Sequence, residues 1–120
     1  MYLVGLPHPN RELLERFVRS QAEETFVTSA EVYQEIIHRY VAIDARGAID
    51  DCFALLDSLV HQVYPITKAD AERARHIAHG QHRLSGRDCL HIAVMERYGL
   101  THILTCDTDF DLWAGVTRLP

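Results

Sequence analysis

Cysteine is scarce in this chain. Cys52, Cys89 and Cys106 are an odd number, and no two stand in C-x-x-C spacing. That argues against a disulfide framework or a thiolate zinc site and suits a reducing cytoplasm. No run approaches the ~20 consecutive apolar residues needed to span a bilayer. The opening MYLVGLPHPNRE carries no basic region ahead of its short apolar run, so it does not read as a secretory signal. Phosphate-loop patterns of the GxGxxG or GxxxxGK[ST] kind are missing, as are the GxSxG nucleophile turn and the HExxH metal motif. Positive charge is also short. The net charge is −5, so general attraction to nucleic acid is weak, and a nucleic-acid partner would need something local to neutralise its phosphates.

What remains is ordinary globular material. The 120 residues suffice for one domain with a real core, and hydrophobic content is 48% with 24% charged. Asn10 as a cap, then Leu13, Leu14, Phe17 and Val18, predicts a helix over 10–20. TFVTS, residues 25–29, predicts a strand, and Ser29 caps a helix with Val32, Ile36 and Tyr40 along one face. A third helix is expected over 45–61. VYPIT, residues 63–67, predicts a short strand that Pro65 places at a sheet edge. Thr67 then caps a fourth helix that Gly80 ends. Ser85 caps a fifth that Gly99 ends. HILTC and GVTRL are the last strands. Strands alternating with helices predict a mostly parallel sheet covered by helices on both faces, with chemistry gathered at the C-terminal strand ends.

CDTDFD stands at such an end, just after HILTC, with Asp107, Asp109 and Asp111 at alternate positions. Glu35, in the helix after TFVTS, and Asp88, in the first turn of the helix capped by Ser85, can fall near the same rim. Carboxylates gathered at one point repel one another unless a cation compensates them. Hard oxygen ligands select Mg²⁺ or Mn²⁺, which activate water and stabilise charge on a phosphoryl group. Each acid also has a plainer role. Asp88 is three residues after its cap and can simply serve the helix start. Glu35 can pair with Arg39 on the next turn. Asp109 and Asp111 can be turn residues. Only the set points to chemistry. His76, His79 and His82 read as a solvated cluster rather than a zinc site, and His91 and His102 as structural.

TSAEVYQEIIHRY, LSGRDCLHIAVMERYGLTHILTCDTDFD and the ending GVTRLP resemble the PIN-domain ribonucleases, specifically VapC-type toxins of type II toxin–antitoxin systems. The resemblance spans almost the whole chain. It implies a three-layer α/β/α domain over residues 1–120 and an endoribonuclease that hydrolyses RNA phosphodiester bonds with Mg²⁺ or Mn²⁺. It also implies RNA as substrate, a small cognate antitoxin as protein partner, frequent homodimers, a cytoplasmic setting and no membrane contact. Residue by residue, it implies metal-binding catalytic acids at Glu35, Asp88 and Asp107, assistance from Asp109, and a supporting hydroxyl at Thr105. Arg39 or Arg87 would add local positive potential.

The start departs from the family pattern. Members usually open with a short apolar strand ending in an aspartate, as in V-D-T-N-V. The opening here reads as the family's first helix and the chain beyond it, so the usual first strand and its acid are expected to be missing, with a gap in the sheet where a central strand belongs. Two accounts stay open: an N-terminally truncated reading that starts at an internal methionine, or a degenerate copy. The alternative function is accordingly a catalytically impaired PIN-like binding module that retains antitoxin binding or dimerisation. A response-regulator-like domain is a weaker rival, since it needs an acidic pair after its first strand and a late lysine, and Lys68 is the only lysine.

Overall fold

The computed structural model describes residues 1–6 and 11–119. Its elements run in the order β1 (Tyr2–Val4), α1 (Arg11–Ser20), β2 (Phe26–Ser29), α2 (Ala30–Ala42), a 3₁₀ turn (Arg46–Ala48), α3 (Ile49–Leu59), β3 (Gln62–Tyr64), α4 (Lys68–Gly80), α5 (Gly86–Arg97), β4 (His102–Leu104), a second 3₁₀ helix (Thr108–Leu112) and β5 (Thr117–Leu119). Asn10, expected to cap α1, lies outside the described residues. The five strands form one sheet in the order β3-β2-β1-β4-β5, and every neighbouring pair is parallel.

A strand does occupy the middle of the sheet, so the expected gap is not found. Tyr2–Val4 is the middle strand, paired with β2 through Tyr2 and Leu3 and with β4 along its whole length. No gap opens in the sheet. Three residues are too few to show a strand period in sequence. What makes them a strand is pairing on both sides, which only the assembled sheet supplies.

Alternation along the strands divides the core in two. Leu3, Val27 and Ile103 face one layer, where α4 and α5 contribute Ala74, Ile77, Ile92 and Met95. Val4, Phe26 and Leu104 face the other, where Leu14, Val32, Ile36, Leu55 and Leu56 come from α1, α2 and α3. This is the three-layer arrangement. The helix predicted over 45–61 is split, with a 3₁₀ turn ahead of α3. β3 is an edge strand, as Pro65 suggested. Gly99, at φ 67°, lies just past the end of α5, a conformation that favours glycine.

Strand order reverses between β1 and β4. β1 connects outward through α1 to β2, while β4 connects outward on the other side to β5. A crevice at the carboxyl ends of the strands is expected at such a switch point.

Candidate active site

A cavity of about 510 Å³ occupies that crevice. Gly5 at the end of β1, Thr105 at the end of β4, and Glu35, Asp88, His91 and Asp107 line it. Two bonds fix the strand ends. Gly5 N–H donates to the Leu104 carbonyl at 2.9 Å, and Thr28 Oγ1 donates to the Val4 carbonyl at 2.7 Å.

Each acid is placed by local structure. Asp88 is in the first turn of α5, where its backbone N–H donates to Ser85 Oγ at 3.1 Å. Its side chain is buried and points into the cavity wall. Burial, and then the Asp107 carboxylate, push the Asp88 carboxyl above its ordinary range, against smaller opposing contributions from Ser85 and His91. Asp107 caps the second 3₁₀ helix, and its Oδ1 accepts from Asp109 N–H at 2.9 Å. Thr105 is buried, and its Oγ1 accepts from Asp107 N–H at 3.2 Å, which shapes the turn that presents the acid. Asp88, Asp107 and Asp109 each offer a carboxylate oxygen, and these oxygens all lie within 4.8 Å of one another. Three hard oxygen donors converging in this way suit a cation of the Mg²⁺ or Mn²⁺ kind.

Glu35 lines the same cavity but stands apart from that cluster. It is half-buried, and its Oε1 is hydrogen-bonded to His91 Nε2. The plainer expectation of a Glu35–Arg39 pair does not describe it. A carboxylate only accepts, so His91 donates through Nε2–H. His91 is buried on α5, one turn beyond Asp88, and this bond ties the two helical layers together across the rim. Reading His91 as merely structural missed its contact with the site. The signal available was its spacing of three from Asp88, which puts both on one face of a helix. Asp111 turns away and accepts from Arg118 on β5, a structural role. His76, His79 and His82 are exposed and belong to no metal-type cluster among the described residues.

The end of β1 carries no acid. Gly5 stands there, and a Cβ added to it would meet the Leu104 carbonyl oxygen at 3.2 Å and Thr105 Cβ at 3.3 Å. The sequence has no other carboxylate ahead of Glu12. The central strand of this sheet thus ends in glycine rather than in an acid.

Comparison with known proteins agrees with this architecture. The PIN domain model matches residues 1–115, and the chain belongs to this family, among its VapC-type ribonuclease toxins. It is 44% identical to ribonuclease VapC13 of Mycobacterium tuberculosis over 99% of this chain and 92% of that protein. It is 36% identical to ribonuclease VapC23 of the same species, over 89% of this chain and 86% of that one. Among solved structures it is similar to M. tuberculosis VapC20, described as a sarcin-ricin loop cleaving toxin, with a TM-score of 0.77, 21% identity and coverage of 98% and 97% of the two chains. No helix among the described residues is long and apolar enough to cross a membrane.

Proposed function

We propose that this chain is a metal-dependent endoribonuclease of the toxin–antitoxin type, with Glu35, Asp88 and Asp107 as catalytic acids. The observation that carries this reading is the convergence of the Asp88, Asp107 and Asp109 carboxylates to within 4.8 Å at the switch-point cavity, which Asp88, Asp107 and Glu35 line. Asp88, Asp107 and Asp109 would hold Mg²⁺ or Mn²⁺, and Glu35 would face it from α2. Bound there, a divalent ion supplies an activated water and stabilisation of charge on a phosphoryl group. The residues do the rest. His91 holds one oxygen of Glu35, which leaves Oε2 to orient the attacking water or take its proton. Thr105 fixes the turn that carries Asp107. Burial and the Asp107 carboxylate push the Asp88 carboxyl up, so a bound cation and the ionised form of Asp88 would favour each other. Membership of the VapC-type toxins supports RNA as substrate and a small cognate antitoxin as protein partner.

Gly5 favours a second reading, an impaired domain that retains antitoxin binding or dimerisation. One assay separates the two. The chain, D107N and G5D are each incubated with RNA and Mn²⁺, with EDTA as control. Cleavage by the natural chain that is lost in D107N supports the nuclease. Cleavage by G5D alone assigns the natural chain to the binding module. Silence from every form, with no Mn²⁺ bound by calorimetry, overturns the metal-nuclease reading.

A further inference from the structure

We propose that Arg39 and Arg87 form a phosphate clamp at the lip of the acidic cavity, holding the backbone of a single RNA strand next to the bond to be cut. The proposal rests on the ribonuclease reading above and deepens it.

Both arginines line the cavity. Arg39 belongs to one face of α2. Glu35, His38, Arg39 and Ala42 follow one another at i, i+3, i+4 and i+7, and all four line the cavity. Arg39 therefore stands one helical turn, about 5.4 Å, beyond the acid. Arg87 sits beside Asp88 in the first turn of α5. The helices that bear Glu35 and Asp88 thus each bear an arginine that lines the same cavity.

Neither guanidinium is hydrogen-bonded to a carboxylate among the described residues, in contrast to the arginines that pair closely elsewhere. Arg73 reaches both oxygens of Glu96, and Arg118 both oxygens of Asp111. Arg97 is bonded to Thr67 and Asp70. Arg39 makes no ion pair among the described residues, and Arg87 makes only a loose one, with Glu31 at 3.9 Å, too long for a hydrogen bond and open to exchange for a phosphate. Neither arginine is hydrogen-bonded to the cavity's acids: Glu35 is bonded to His91, and the Asp88, Asp107 and Asp109 oxygens stand near one another. A guanidinium presents a planar fork that matches phosphate oxygens. In a chain with net charge −5, such a local device supplies the attraction that the molecule as a whole lacks. Ile43, 61% exposed and also on the cavity wall, would meet a base or sugar beside the held phosphate.

The test is fluorescence anisotropy of a labelled single-stranded RNA against D107N, which keeps the probe intact, and against D107N carrying R39Q, R87Q or both. Each lost contact is expected to weaken binding by about tenfold and to flatten the dependence of log affinity on log salt by about 0.7. R39K should fall between, keeping charge without the fork. R73Q, the same charge change outside the cavity, should leave the salt slope as it is. Mn²⁺ binding by R39Q/R87Q, measured by calorimetry, should not weaken. Unchanged RNA affinity and slope in the double variant would overturn the clamp while leaving the nuclease standing. Failure of the natural chain and D107N to bind or cut RNA would overturn both.

Discussion

Two helix starts in this molecule share one local pattern and end in opposite situations. Thr67-Lys68-Ala69-Asp70 opens α4 and Ser85-Gly86-Arg87-Asp88 opens α5, each a hydroxyl cap with aspartate three residues on. At Thr67 the box closes. Asp70 N–H donates to Thr67 Oγ1, and Asp70 Oδ2 accepts from Thr67 N–H at 2.9 Å and from Arg97 at 3.1 Å. Asp70 is buried with its partners complete. At Ser85 the hydroxyl accepts from Asp88 N–H and the cap also steadies the Asp88 carboxylate, but that carboxylate stands beside Asp107 with no arginine or lysine paired to it among the described residues. One aspartate stabilises the fold. The other is held where it is uncomfortable, as a group kept for binding would be. The difference comes from Arg97, which reaches Asp70 from the last turn of α5, whereas β4 and its loop bring an acid to Asp88.

Substitution should separate the two sites most widely in activity. Asp88→Asn is expected to reduce Mn²⁺-dependent RNA cleavage by at least about 100-fold, as loss of a metal ligand should exceed loss of its supporting shell. Asp70→Asn should leave the rate per folded molecule nearly unchanged. Equal losses in both, measured on samples matched for folded fraction, would erase the functional distinction.

Stability should reverse the ranking. Asp70→Ala removes a cap and a buried ionic partner, and is expected to cost about 1–3 kcal/mol. The lower part of that range is favoured because Arg97 is 42% exposed and water takes over part of its solvation. Asp88→Asn should be neutral or stabilising without metal. Urea midpoints of the two variants test this.

The smallest effect is in pH dependence. A carboxyl raised in the folded state binds more protons folded than unfolded, so stability falls as pH rises from its unfolded value through its folded one. Without metal, Asp88 should therefore make the natural chain lose stability as pH rises from about 4 towards neutral, relative to Asp88→Asn. Urea midpoints across that window should converge at the acid end and diverge at the neutral end. Saturating Mn²⁺ should remove the divergence.

Much of the molecule was legible in its residues. The alternation of TFVTS, HILTC and GVTRL with periodic helices indicated a parallel sheet with two covered faces, because side-chain period depends only on local geometry. The helix starts at Ser29, Thr67 and Ser85 were legible for the same reason. Tyr2–Val4 was not, since three residues carry no period and their strand state depends on neighbours more than twenty residues away in sequence. Nor was the Glu35–His91 bond, which joins residues 56 apart.

By itself, then, the sequence determined the repertoire: which segments coil or extend, and which acids stand at their ends. Only the tertiary structure decided which of two similar caps becomes a structural ion pair and which faces a second carboxylate. It also decided that Gly5 ends a central strand at the cavity. The physical reason is range. Propensity and capping act within a turn of chain, while burial and charge act through space on whatever the fold brings near.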